Sequence, residues 1–209
     1  AAGIDRLTHS DFVRMPLPWS AGNTTLVAGD DGSIWMGSGD ARVLLKFVGS
    51  KQVLQLEAAP FTAATRARDG VVWFGGPQGI ARVVNDRMEL FAPPGAARGA
   101  DIEAMAADAA GAVWVAFDEG AVFRFVKGNW SLYGGELPRG EVVSATVDER
   151  GDVWFGYDDH RIARVSRDHV QVFTTADGLD IGAVTARRIP MTAMPELVAA
   201  FHSLVGMAA

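Results

Sequence analysis

Four tryptophans recur along this chain in one context. Trp35, Trp73, Trp114 and Trp154 lie 38, 41 and 40 residues apart. A glycine stands three positions before each: Gly32, Gly70, Gly111 and Gly151. An apolar residue precedes each, and Gly37, Gly75, Ala116 and Gly156 follow two positions later. Some ten residues after the tryptophan comes a cation flanked by apolar residues: Lys46, Arg82, Arg124 and Arg164. Each unit closes in an apolar or aromatic run near Leu56, Phe91, Tyr133 and Phe173. Four units in one register, at a period of about 40, define a repeat architecture.

Each unit reads as four short strands. The first is made of small or polar residues, with Thr25, Ala63, Ala104 and Ser144 each ten positions before their tryptophan. A tight turn follows, Asp31-Gly32, Asp69-Gly70, Asp108 to Gly111 or Asp148 to Gly151. Glycine supplies the positive φ and aspartate caps the amides. The second strand carries the tryptophan, the third the cation and the fourth the aromatic. A repeated four-stranded meander of this length predicts an all-β chain, a β-propeller of four-stranded antiparallel blades. The small first strand fits a wedge whose inner edge lies nearest the axis. The repeat tryptophans are expected in the core between blades, and the cations are expected to snorkel or to pair with a neighbouring blade's aspartate.

The ends are less regular. Gly3-Ile4-Asp5-Arg6-Leu7 matches Gly79-Ile80-Ala81-Arg82-Val83, so residues 3–18 are expected to form the outer strands of a partial blade. The blades are expected over 1–183. Residues 184–209 lack the tryptophan and the turn glycine, and read as degenerate strands, a ring-closing segment or a short helix. About four full blades plus a partial or composite one result, either part of a larger ring or a ring of about five. An edge left open would invite self-association.

Composition narrows the function. With 25 acidic against 19 basic residues and a net charge of −6, no basic block suits nucleic acid. No apolar run is long enough to cross a bilayer, so no membrane contact is expected within this segment. The opening Ala1-Ala2-Gly3 is not a secretory leader. The absence of cysteine excludes thiol chemistry, and no Gly-x-Ser-x-Gly elbow or His-x-x-x-His pair is present.

The unit Asp-x-x-Gly-x-Val-Trp-Phe-Gly, then Gly-Ile-x-Arg-Val, then Thr174-Thr175-Ala176-Asp177-Gly178-Leu179, resembles the two-component regulator propeller repeat. The likeness spans residues 3 to 183. The aspartate six positions before the tryptophan is present at Asp108 and Asp148 but replaced by Gly29 and Ala67 in the first two units. The resemblance implies a non-catalytic ligand-sensing module, the periplasmic input region of a sensor histidine kinase. The alternative is a metal-dependent enzyme resembling the streptogramin lyases, whose repeats share a strand like Asp69-Gly70-Val71-Val72-Trp73-Phe74.

The loops between second and third strands are the candidate ligand site. They carry Asp40, Gln78, Asp118, Glu119, Asp158, Asp159 and His160. In a propeller these loops project from one face together with the blade-to-blade connections. Carboxylates beside a histidine suit a divalent cation, a cationic group or the hydroxyls of a small molecule or oligosaccharide. No resident cofactor and no catalytic residue is expected. Trp19 and Trp130 fall outside the repeat. Trp130 is expected at a fourth-strand edge, and Trp19, in a Pro-rich stretch, is a candidate for sugar stacking.

Overall fold

The computed structural model describes residues 17–18, 24–133, 136–167 and 169–177. They form four separate antiparallel sheets of four strands each. Blade one comprises β1 (Thr24–Ala28), β2 (Ser33–Ser38), β3 (Val43–Val48) and β4 (Lys51–Glu57). Blade two comprises β5 (Ala63–Arg66), β6 (Val72–Gly76), β7 (Gly79–Val84) and β8 (Arg87–Phe91). Blade three comprises β9 (Ile102–Ala107), β10 (Val113–Phe117), β11 (Val122–Val126) and β12 (Asn129–Leu132). Blade four comprises β13 (Val142–Val147), β14 (Val153–Tyr157), β15 (Ile162–Ser166) and β16 (His169–Phe173). Apart from strands, only the 3-10 turns Gly95–Ala97 and Thr175–Asp177 are regular among the described residues. The expected all-β propeller of four-stranded blades is the fold. The inner strands β1, β5, β9 and β13 lie side by side in that order. Of the partial blade expected over 3–18 only residues 17–18 are described, and Trp19 and the tail 184–209 lie outside the described residues.

Strand pairing turns the linear repeat into two transverse rows on each blade. In blade two one row runs Ala63, Gly75, Ile80, Phe91, each residue directly opposite the next. Blade four repeats it as Ser144, Gly156, Ile162, Phe173. Small residues stand at the inner strand and large ones at the rim, which gives the sheet its wedge section. The second row carries the signature residues. Trp35 stands opposite Lys46, Trp73 opposite Arg82, Trp114 opposite Arg124 and Trp154 opposite Arg164. The cations lie over aromatic rings, 5.1 Å for Lys46 on Trp35, 4.8 Å for Arg124 on Trp114 and 5.4 Å for Arg164 on Trp154. Arg82 instead covers Phe91 at 5.5 Å. Such contacts are worth about 0.5–2 kcal/mol, depending on desolvation.

Each row is covered by the blade that follows. Phe61 and Phe74 of blade two, fully buried, pack with Trp35 and Leu44. Ile102, Met105 and Val115 of blade three pack with Trp73 and Ile80. Val142 and Phe155 of blade four pack with Trp114 and Val122. The small residues in the rows make room for this. A Cβ on Gly75 would strike the Met105 sulfur and stand 3.0 Å from Ile102. Trp130 adds a polar fastening, since its indole N–H donates to the Ala92 carbonyl at 2.8 Å. It is half-buried at the start of β12, as expected.

Two details differ from the sequence reading. Trp35, Trp73 and Trp114 are buried, but Trp154 is only half-buried. No described blade covers its face, and it stacks instead on Phe173 of its own sheet, 5.6 Å between ring centres. The cations also find most of their carboxylates at home. Arg82 pairs with Glu89, Arg124 with Asp108 and Arg164 with Asp152, all within one blade. Only Lys46 bridges blades, 3.0 Å from both Asp31 of its own turn and Asp86 of blade two. Blade-internal pairing wins because neighbouring strands hold the partners at a register set by hairpin geometry.

Candidate functional site

The face at issue is built by hairpin ends. Each second strand runs outward to a short loop (39–42, 77–78, 118–121 and 158–161) before the third strand returns. The connection to the next inner strand ends at the same side. Backbone bonds tie the two: Phe61 N–H to the Ser38 carbonyl (2.8 Å), Asp118 N–H to Asp101 (3.1 Å) and Asp158 N–H to Glu141 (3.2 Å). Loops and connections thus share one face.

All seven sequence candidates, Asp40, Gln78, Asp118, Glu119, Asp158, Asp159 and His160, are solvent-exposed in these loops. The Asp40 N–H donates to the Ser38 hydroxyl at 3.0 Å, which shapes the turn. Asp159 is held by its neighbour: the Arg161 Nε donates to both its oxygens, at 2.9 and 2.7 Å. That guanidinium keeps the Asp159 carboxyl below the usual carboxylate range, with burial opposing. Arg161 also donates to the Arg139 carbonyl at 2.6 Å and lies over the Tyr157 ring. His160 sits at φ 68°, the left-handed position of its turn, with its N–H directed to the Tyr157 carbonyl. Among the described residues, no three His, Asp or Glu side chains form a group that could hold a metal ion.

What does come together is a set the loop reading missed. Glu103, on inner strand β9, has its carboxyl pushed above the usual range. The residue is solvent-exposed, and partial desolvation of its carboxyl is the largest cause, followed by the charges of Glu141, Asp101 and Asp118. Like charges at close range resist joint ionisation. Of these four acids the sequence candidates contained only Asp118. Asp101 and Glu141 sit on connections and Glu103 on a strand, so a search confined to second-to-third-strand loops passes over them. The available signal was Glu103 itself, an acid eleven positions before Trp114 where the other units have Thr24, Thr62 and Val143. Among the described residues, none of the four is in a salt bridge.

Known proteins resemble this chain in two unrelated ways. The fold is similar to virginiamycin B lyase from Staphylococcus aureus, with a TM-score of 0.62 at 18% identity over 76% of this chain and 58% of that one. It is also similar to the extracellular domain of a putative hybrid two-component system from B. thetaiotaomicron. That match has a TM-score of 0.60 at 16% identity and covers 74% of this chain and 22% of that one. At these identities the likeness shows the propeller fold, and the chain spans little more than half of the lyase and about a fifth of the sensor domain. The second resemblance lies at the C-terminal end. Residues 157–209 match the NAD(P) transhydrogenase beta subunit family. A stretch of 38 residues is 63% identical to NAD(P) transhydrogenase subunit beta of Rhodospirillum rubrum, covering 18% of this chain and 8% of that protein. The family match begins at the last residue of β14, so it overlaps blade four before it enters the tail read above as degenerate strands.

Proposed function

We propose that the propeller is a non-catalytic recognition module whose loop face takes a cationic or polyhydroxylated small molecule. On this reading it serves as a periplasmic input region of a two-component sensor. The carrying observation is the nearness of Glu141, Asp101 and Asp118 to Glu103, whose carboxyl is raised by partial desolvation and then by these three charges. A ligand bearing positive charge would relieve that repulsion, and sugar hydroxyls would find acceptors. The likeness of the fold to an extracellular domain of a two-component system supports the sensory role. The Asp158-Asp159-His160 loop gives less to a lyase-like reading, because the Asp159 carboxylate is already engaged by Arg161.

The test is a thermal-unfolding titration with calcium, magnesium, polyamines and neutral oligosaccharides, on the wild type, Asp118→Asn and Glu103→Gln. A ligand bound only by the folded state raises the midpoint, by about 2.7 kcal/mol in stability at a hundredfold excess over its dissociation constant. The expected result is a shift in the wild type that shrinks in both variants. A ligand whose effect is the same in all three would place its site elsewhere.

A further inference from the structure

At the ends of the strands opposite the loop face, two clefts between successive blades are built from the same repeat positions but differ in size. Between blades three and four the cleft holds about 130 Å³, with Trp114 and Arg124 on one wall and Gly151 and Val165 on the other. Between blades one and two it holds about 450 Å³, with Trp35, Lys46, Gly70 and Val83 at the same places. The larger volume is that of a small-molecule site, roughly 300–1,000 Å³. Two exchanges open it. Asp108 lines the smaller cleft where Gly29 lines the larger, and Arg167 gives way to the shorter Asn85.

The missing aspartate leaves a donor behind. In blade three the Asp108 carboxylate accepts the Trp114 indole N–H at 2.8 Å. In blade one Asp31 takes over only the Ser33 N–H, at 3.1 Å, and turns its other oxygen to Lys46. Trp35 is 4% exposed, and among the described residues its indole N–H has no acceptor. That N–H lies beside the gap, since a Cβ on Gly29 would stand 3.6 Å from the Trp35 Nε1. Asp30, Asp69 and Asp86 also line the cleft. One oxygen of each is engaged, by Arg66, by the Val71 N–H and by Lys46 respectively. The second oxygen of Asp69 and of Asp86 has no partner among the described residues. Val71 and the exposed Val84 add apolar surface.

These groups select among ligands. The indole N–H needs an acceptor, which a purely cationic ligand such as a polyamine lacks. The carboxylates of Asp30, Asp31, Asp69 and Asp86 outnumber the cations Lys46 and Arg66, which disfavours a carboxylate or phosphate ligand. A hydroxyl both accepts and donates. We propose that the cleft between blades one and two binds a neutral polyhydroxylated molecule of monosaccharide size. One hydroxyl accepts from the Trp35 indole N–H, and its neighbours donate to Asp69 and Asp86. The site lies at the other end of the strands from Glu103 and the loop acids, so it stands or falls separately from the function proposed above.

The experiment uses the full chain labelled with 15N-tryptophan, whose six residues each contribute one indole N–H signal. Trp35→Phe identifies the Trp35 signal by its loss. Glucose, galactose, mannose and myo-inositol are each added to about 10 mM, tenfold above a dissociation constant of about 1 mM. Spermidine and glutamate serve as charged controls. At least one of the four neutral compounds should move the Trp35 signal saturably, and neither control should. The combined variant Gly29→Asp, Asp31→Ala, Ser33→Ala gives blade one the turn that residues 108–112 form in blade three. Ser33 must change with Gly29, because a Cβ there would stand 2.5 Å from the Ser33 Oγ. This variant supplies the indole with its own carboxylate, so its Trp35 signal should no longer respond. Asp69→Asn, at an exposed position, should weaken binding roughly tenfold through the loss of a hydrogen bond to a charged group, and keeps the test decisive should the combined variant not fold. A Trp35 signal that none of the four moves, that spermidine moves equally, or that responds unchanged in the combined variant or in Asp69→Asn would overturn the proposal. The first of these results would assign the acceptor to water.

Discussion

Asp108 holds Trp114 from six residues away. Its Oδ2 accepts the indole N–H at 2.8 Å, while its Oδ1 accepts the backbone N–H groups of Ala110 and Ala112, both at 2.9 Å. One carboxylate thus closes the turn between β9 and β10 and fixes the ring that the next blade packs upon. Asp148 does the same for Trp154, at 3.0 Å, and for the amides of Arg150 and Asp152. In blades one and two, where Gly29 and Ala67 hold that position, Asp31 and Asp69 cap only the amide two residues on.

Removing the Asp108 carboxylate leaves three donors without their acceptor at a buried site. Asp108→Ala should cost about 2–4 kcal/mol, since each buried unsatisfied group costs on the order of 1–3 kcal/mol and some will find water. Asp148→Ala, at a half-buried position, should cost less. Urea unfolding of both variants gives the comparison, and equal losses would contradict the assignment of burial as the deciding factor.

The tryptophans should separate in the same way. Trp114→Ala removes a ring packed against Tyr133 and Phe155, at 5.0 and 5.9 Å between centres, and should cost roughly 3–5 kcal/mol. Trp154→Ala, open on one side, should cost distinctly less in the dilute protein. Chemical denaturation at low concentration checks this, and a larger loss for Trp154 would mean that its face is closed.

Tyr157 occupies the place that Phe117 fills in blade three. Its hydroxyl is buried without a hydrogen-bond partner among the described residues, and burial pushes its pKa up to about 12. Tyr157→Phe removes the unpaired group and keeps the ring. The expected change is between neutral and a gain of about 1 kcal/mol in unfolding free energy. A loss above that size would show that the hydroxyl has a partner, such as an ordered water.

The acid limb of stability should have two components of opposite sign. Asp31, held low by Ser33, whose N–H it accepts at 3.1 Å, and by Lys46, and Asp152, held low by Arg164 and Ser166, have depressed folded-state values. Burial opposes the shift at Asp148, but the Trp154 indole and the amides of Asp152 and Arg150 outweigh it. Depressed carboxylates contribute stability above their unfolded value of about 3.9 that is lost as pH falls through the folded value. Glu103 is raised, so the folded state is relieved as pH falls toward its elevated value. Midpoints measured from pH 7 to 2 should rise slightly, then fall below about pH 4. Glu103→Gln should remove the rise and leave the fall. A rise that persists in that variant would assign it to another group.

The sequence by itself determined the strand register and the turn caps inside a blade. Hairpin register is local and side chains alternate with a period of two. The offsets of −10, +2 and about +10 around each tryptophan therefore place Ala63 beside Gly75 and Trp73 beside Arg82 before any coordinates exist. The aspartate caps follow from the same local geometry. The tertiary structure decided what happens between blades. Asp101, Glu103 and Asp118 are brought together by the pairing of β9 with β10, but Glu141 of the following connection joins them only because blade four packs on blade three at a fixed angle around one axis. No spacing in the chain encodes that angle. The same packing buried Trp114 and left Trp154 half-open, although their local sequences are nearly alike, because burial depends on whether another sheet covers the face.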